Sequence, residues 1–286
     1  MSKEYEEKRG PRGADDHTEK RFPRERRAEE RGVPVRERDA GADGLIEGRN
    51  AVTEALRAGT PIDKIFIARG ETDKTLGHIA STARAAGVVV VEADRRKIDY
   101  MSATKAHQGV IALAAVREYA SVEDILSAAR ERGEAPLLVV CDEISDPHNL
   151  GAIIRSAEGC GAHGIIVPAR RSAPLSSVVA KTSAGAINYT PVAKVTNLKQ
   201  TMEQLKKEGM WFVCADMGGE TMYNLNLTGP IGVVIGNEGE GVSRLIREKC
   251  DFVASIPMKG DIDSLNASVA AGVLGYEIVR QRLQKK

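Results

Sequence analysis

The sequence predicts an α/β protein of two unequal units, a small one and then a larger one built on a mainly parallel sheet. Three observations carry that reading. Strand and helix patterns alternate from Gly44 through the following 75 or so residues, and a second alternation of about six strands begins at Pro136. The last two strand runs, IGVVIG and DFVASIPM, are short, apolar and β-branched, as in a sheet covered on both faces. Each of those two runs ends in a loop of small and polar residues, GNEGEG and KGDIDSLN, with a helix pattern beyond. Loops at the carboxyl ends of strands are where α/β proteins place ligands, so these two point to one shared site.

Residues 1–43 stand apart. Nearly every second side chain there is charged, and beyond Met1 the only larger apolar ones are Tyr5, Phe22, Val33 and Val35. Such a segment cannot bury enough surface to offset its ordering entropy and is expected to be a disordered tail. Its interleaved acids argue against an RNA-binding role for Arg24, Arg26, Arg27 and Arg31.

The small unit, 44–118, opens on LIEGRNAVTEALRAG, a short strand edge and an amphipathic helix closed by Gly59. IDKIFIARG follows as an alternating strand, then a helix ending at Gly87, the buried strand VVVVEAD, a helical and turn-like stretch, and the strand VIALAAV. SVEDILSAARERG, in 119–135, is expected as a linker helix capped by Ser121 with Glu123 and Asp124 in its first turn.

The large unit, 136–286, starts with the strand LLVVCDEI, the loop SDPHN and the helix LGAIIRSAEGCG. Strand HGIIVPA, helix SSVVAKTSAGA, strand PVAKV, helix TNLKQTMEQLKKEG and strand MWFVCAD come next. The Gly-rich pair of strand–loop–helix units then closes the chain, with GVSRLIREK and Ser264–Lys285 as helices.

Composition narrows the possibilities. In 286 residues the formal net charge is only +1, so overall charge selects no partner. No apolar run reaches the ~18 residues a membrane span needs, and the N-terminus is charged rather than apolar, so neither a span nor a secretory signal is expected. Cys141, Cys160, Cys214 and Cys250 are far apart with no CxxC spacing, which fits a reduced cytoplasmic protein without structural zinc or other metal.

Gly159-Cys-Gly161-Ala-His-Gly164 matches the dinucleotide pattern GxGxxG, yet it ends a helix and precedes a strand. The chemistry requires the reverse order, so that a helix N-terminus faces pyrophosphate. A nicotinamide site is therefore rejected. In GNEGEG, Gly236, Gly239 and Gly241 permit close approach of a ligand to the backbone, with the Glu238 carboxylate projecting between them. Ser264, Asn266 and Ser268 place donor-acceptor side chains at a helix start, where Ser264 could equally be a simple cap. Asn149 sits at a strand-to-helix junction. Arg155, on an otherwise apolar helix, calls for a partner: Glu158 or Glu238, or a substrate phosphate or hydroxyl. His148 receives no chemical role.

DPHNLGAIIRSAEGCGAHGIIVP, VVIGNEGEGVS and IPMKGDIDSLNASVAAGVLGYE closely resemble the three motifs of the SpoU/TrmH branch of the SPOUT RNA 2'-O-ribose methyltransferases. The likeness covers nearly all of 136–281. EGRNAVTEAL and HQGVIA in the small unit resemble that family's substrate-binding domain, which has an L30e-like fold. The combination is most similar to bacterial guanosine 2'-O-methyltransferases of 23S ribosomal RNA, with transfer RNA as the alternative substrate and a non-catalytic RNA-binding protein as the third reading.

The resemblance implies a C-terminal trefoil knot, a homodimer whose site draws on both subunits, and S-adenosyl-L-methionine as methyl donor. By motif position, Gly236, Ile256, Met258 and Leu265 would surround the donor. Asn149, Arg155, Glu238, Ser264 and Asn266 would form the catalytic set, with Arg155 acting on the ribose hydroxyl. Arg49, Lys105, His107, Arg170, Arg171 and Lys181 are candidate RNA contacts, each by itself also compatible with a solvated surface.

Overall fold

The computed structural model describes residues 44–70 and 73–285, and the charged segment expected at 1–43 lies outside them. The small unit is a four-stranded sheet in the order β1 (Leu45–Glu47), β4 (Val110–Ala114), β2 (Ile62–Ala68), β3 (Val89–Ala93). Only β2 and β3 run parallel. Ile65 and Ile67 of β2 pack with α1 (Arg49–Arg57) and α2 (Lys74–Ala85), while Phe66 and Ala68 pack with Ile98 of α3 (Arg95–Met101). β2 is therefore buried on both faces rather than alternating, because α3 covers the second face. β3 is an edge strand and only half-buried, where the run VVVVEAD suggested full burial.

The large unit is a six-stranded, wholly parallel sheet. Its order is β10 (Phe252–Ser255), β8 (Trp211–Thr221), β9 (Ile231–Ile235), β5 (Leu137–Cys141), β6 (Gly164–Pro168), β7 (Val192–Val195). Alternate residues of β5 enter opposite cores. Leu137, Val139 and Cys141 join the layer with α5 (Pro147–Gly159), α6 (Ser177–Thr182) and α9 (Ala267–Gln284). Leu138 and Val140 join the layer with α4 (Val122–Glu131), α7 (Leu198–Lys207) and α8 (Arg244–Arg247).

α4 has the expected cap, Ser121, whose side chain also forms a capping box with Asp124. It is more than a linker, because Ile125 and Leu126 are buried in the large unit's core. A Cβ on Gly164 would meet Ile125, so β6 accepts this helix only through a glycine. Three other helices are shorter than their patterns. α6 stops where Ala184 and Gly185 turn left-handed, and α8 keeps a single turn. α9 starts at Ala267 with Asn266, not Ser264, as its cap. β8 runs on past Asp216, and its register with β10 jumps between Val253 and Ala254, so that residues 215–219 bulge out. Among the described residues no helix is long and apolar enough to cross a membrane.

The units meet at a buried polar cluster. Asp63 of β2 accepts from the Tyr119 hydroxyl (2.6 Å) and the Lys194 ammonium (2.7 Å), and Lys194 also lies over the Tyr119 ring.

Candidate functional site

The site forms at the carboxyl ends of β5, β9 and β10, where three loops converge. The loop after β9 is closed by paired backbone bonds between Asn237 and Gly241 (3.0 and 2.8 Å). The Asn237 side chain accepts from the Gly239 amide (2.8 Å) and donates to the Glu143 carbonyl of the β5 loop (3.2 Å). A Cβ on Gly236 would land in the backbone of Gly241 and Val242, so the turn requires glycine there. Asp142, at the end of β5, accepts from the Ser243 amide (2.7 Å) and anchors the far side of the same loop.

Glu238, at the loop tip, receives the side-chain amides of Asn149 and Asn266, the latter at 3.1 Å. The Asn266 amide also donates to the Asn149 carbonyl oxygen (3.0 Å), completing a triangle. Each corner comes from a different strand-to-helix connection. Asn149 is placed by the first turn of α5, where Pro147 follows the cap Asp146, whose carboxylate accepts from the His148 amide (2.9 Å). Asn266 is held by capping α9, its side-chain oxygen accepting from the Ser268 amide (2.9 Å) and hydroxyl (2.6 Å). One carboxylate and two amides thus tie the three loops together.

Beside this triangle lies a cavity of about 740 Å³, within the range of small-molecule sites. Gly236, Ile256, Met258 and Leu265 line it, together with Glu238 and Ser264. Asn149 and Asn266 hold its wall from behind through Glu238. Its lining also includes Ala215, Asp216 and Met217 from the β8 bulge, which sequence reasoning missed. Their placement depends on β8 lying between β9 and β10, a neighbourhood the linear order does not reveal. The walls combine the glycine-rich loop, apolar Met217, Ile256, Met258 and Leu265, and the carboxylate of Asp216, which Arg247 holds at 3.0 Å. That mixture suits a ligand with a planar heterocycle, hydroxyls and a cationic centre, as S-adenosylmethionine has.

Arg155 does not join the triangle. It is exposed on α5 and pairs with neither Glu158 nor Glu238, since Glu238 is engaged by the two amides. It has no hydrogen bond or ion pair among the described residues, so the expected intramolecular partner is not there. Cys141, just below the site, is no nucleophile: burial and the adjacent Asp142 push its thiol up to about 12.

The candidate RNA contacts divide. His107 is buried, its Nε2 bonded to Asp99 (2.8 Å) and its Nδ1 accepting from the Gly109 amide (3.0 Å). It is a structural histidine that shapes the turn into β4, not an RNA contact. Arg49 is bonded to the Gln108 carbonyl (3.0 Å) and paired with Asp73. Lys105, in a left-handed backbone, reaches the Asp99 carbonyl (2.6 Å), and Arg171 pairs with Glu143 (2.7 Å). Arg170 and Lys181 are exposed without a partner among the described residues.

Comparison with known proteins gives the same two-part division. Residues 136–276 match the SpoU rRNA Methylase family, and residues 45–120 match the RNA 2'-O ribose methyltransferase substrate binding domain. A putative TrmH family tRNA/rRNA methyltransferase of Bacillus subtilis is 44% identical over 238 residues, 83% of this chain and 95% of the relative. An uncharacterized tRNA/rRNA methyltransferase of Mycolicibacterium vanbaalenii is 45% identical over 240 residues, covering 83% of this chain and 76% of that protein. Among solved structures, the SpoU methyltransferase AviRb from Streptomyces viridochromogenes, in complex with the cofactor AdoMet, aligns with a TM-score of 0.54 at 28% identity, over 84% of this chain and 90% of AviRb.

Proposed function

This chain belongs to the SpoU rRNA methylase family, and on that premise we propose that it methylates the ribose 2'-hydroxyl of a guanosine in large-subunit (23S) ribosomal RNA. The observation that supports this most directly is the cavity at the β8, β9 and β10 loops, with the Asn149–Glu238–Asn266 triangle on its wall. The family's donor, S-adenosylmethionine, fits that cavity. Gly236, which the turn requires as glycine, keeps the loop backbone in the cavity wall, and Ile256, Met258 and Leu265 offer apolar contact. Bound there, it supplies an electrophilic methyl group on a sulfonium.

The protein's own tasks are to orient the ribose hydroxyl and to handle its proton. Glu238, Asn149 and Asn266 fix the loops that face the reacting groups, and Ser264, on the cavity wall, offers a hydroxyl to the substrate. A guanidinium keeps its proton at neutral pH, so Arg155 acts by holding the phosphate beside the ribose and aligning the hydroxyl, whose proton passes to that phosphate. Arg155 is exposed and without a partner among the described residues of its own chain, which supports a homodimer in which it serves the partner's cavity. Val269, Tyr276 and Leu283 on α9 are exposed at seven-residue spacing and offer an apolar surface for such pairing. The small unit, with Arg49 and Lys105, and the exposed Arg170, Arg171 and Lys181 would position the RNA backbone. A trefoil knot around the cavity loops and a cytoplasmic location belong to the same proposal.

The test is transfer of labelled methyl from S-adenosylmethionine to undermodified ribosomal RNA and, separately, transfer RNA. Label confined to a ribose of large-subunit RNA, and lost with Arg155→Ala, is the expected result. Label in transfer RNA alone would overturn the substrate assignment. Near-normal turnover by Arg155→Lys would overturn the role given to Arg155.

A further inference from the structure

A second cavity, of about 510 Å³, opens where the small and large units adjoin, lined by Arg117, Tyr119, Asp124, Asn188, Tyr189 and Pro191. Tyr189 is 78% exposed, the largest value for a large hydrophobic side chain among the described residues. Its backbone is nevertheless fixed, with its amide bonded to the Ala186 carbonyl at 2.9 Å and the flanking Asn188 amide to Gly185 at 3.0 Å. Thr190 and Ile187 beside it are buried. A large ring is thus held out to solvent on a rigid stem, at low cost in ordering entropy on binding.

The remaining lining gives the cavity a chemical character. Arg117 donates to the Asn188 side-chain oxygen (3.1 Å), which leaves the Asn188 amide nitrogen and the rest of the guanidinium to other partners. Tyr119 is pinned by Asp63 and Lys194, so the floor is rigid. Glu118 and Asp124 also line the cavity; their carboxylates repel phosphate but accept N–H donors. Aromatic face, guanidinium, amide and carboxylate acceptors together suit a nucleobase rather than a backbone phosphate. Guanine presents two N–H donors side by side on its pairing edge and fits the acceptors best. The cavity also draws on both matched segments, Arg117 and Tyr119 from the substrate-binding one and Asn188, Tyr189 and Pro191 from beyond it.

We propose that this junction cavity receives an unpaired base of the RNA, with Tyr189 as its stacking platform and Arg117, Asn188 and the carboxylates at its edge. The inference rests on the proposed RNA methyl transfer and deepens it by naming a base-reading site apart from the donor cavity. The test measures binding of undermodified ribosomal RNA at fixed salt, with kcat and KM, for wild type, Tyr189→Ala and Tyr189→Phe.

The alanine variant should raise Kd and KM roughly 5- to 150-fold, the loss of one stacked base, with kcat and S-adenosylmethionine affinity unchanged. The phenylalanine variant should stay within about twofold of wild type. An alanine variant that binds like wild type overturns the proposal while wild-type methyl transfer keeps the reaction assignment intact. A phenylalanine variant as weak as alanine also overturns it, because the ring would not be the operative group. So does a change in particle mass by light scattering on Tyr189→Ala, which would make the ring a contact between copies. Wild type that methylates no RNA removes the reaction assignment, and this inference with it.

Discussion

Asn149→Asp is the most searching perturbation of the site, because it keeps the shape and changes only the sign of one interaction. Asn149 is 8% exposed and donates its amide to Glu238, with the Asp146 carboxylate 3.4 Å away on the other side. The substitution replaces a shared donor with a third acceptor. At 3.4 Å and an effective dielectric of about 20, Coulomb's law gives roughly 5 kcal/mol for one carboxylate pair. Glu238 is exposed, and solvent screening brings the expected cost down to roughly 2–3 kcal/mol at pH 8. The protein escapes the repulsion by keeping the introduced carboxyl protonated, which raises its folded-state pKa above its unfolded value. A raised pKa means that the folded state binds the extra proton, so the variant's stability falls as pH rises through that pKa. Urea denaturation of wild type and variant at pH 5 and pH 8 reads this directly as the midpoint difference. The deficit should be roughly half-developed at pH 5, which lies above the unfolded aspartate pKa of about 3.9, and grow by a further roughly 1–1.5 kcal/mol by pH 8. Calorimetry should show weakened S-adenosylmethionine binding with the same pH trend. A variant as stable as wild type at both pH values would refute the triangle as the tie between the loops.

Gly236→Ala should leave the circular dichroism of the fold intact and weaken S-adenosylmethionine binding at least about 100-fold by calorimetry, because the added methyl displaces the Gly241–Val242 backbone from the cavity wall. His163 is buried with Nε2 on Glu134 at 3.0 Å, and burial holds its pKa below the usual histidine range against the opposing pull of that carboxylate. A depressed histidine pKa means the unfolded chain takes the proton first, so stability falls as pH drops below about 6.5, and His163→Gln should flatten that loss between pH 7.5 and 5 in urea midpoints. Lys194→Met leaves the buried Asp63 carboxylate with the Lys64 ammonium at 3.4 Å and the Tyr119 hydroxyl, and should cost about 1–3 kcal/mol in urea unfolding, a loss that Asp63→Asn in the same chain should largely recover.

Local rules were readable wherever neighbours in sequence decide the outcome. The Ser121 cap, the six strand runs of the large unit and the rejection of Gly159–Gly164 as a dinucleotide turn all depend on a few adjacent residues. Gly161 does sit in a left-handed turn between α5 and β6. Contacts across the chain were less readable. Glu238 could be placed on a projecting loop, but its partners lie 89 and 28 residues away, and a choice between Arg155 and two amides needs coordinates. His107 looked like an exposed basic residue because its turn is polar, yet Asp99 and the Gly109 amide satisfy both ring nitrogens in the interior. The β8 bulge stayed hidden because a strand pattern does not record which neighbour will break its register.

The Asp63–Tyr119–Lys194 cluster bears on how such an enzyme would choose its substrate. Two units joined by a flexible segment would bind RNA at one end and react at the other with no set distance between them. Here the polypeptide passes between the units through Tyr119, whose hydroxyl is committed to Asp63 of the small sheet and whose ring carries Lys194 of the large one. Lys194 itself bonds both the Asp63 carboxylate (2.7 Å) and its backbone carbonyl (2.6 Å). Burial pulls the Lys194 pKa down while Asp63 holds it up, so the buried ammonium depends on its carboxylate partner. An ion pair of this kind contributes little net stability compared with apolar packing of the same volume, but it tolerates only one relative placement. If the junction cavity receives a base as proposed, a fixed placement gives its spacing from the donor cavity a meaning: an RNA would present a base at one and a ribose at the other. Substrate choice then rests on the shape of the RNA over that span, and weakening the cluster should blur discrimination between ribosomal and transfer RNA more than it lowers the rate on either, which competition assays with Lys194→Met would reveal.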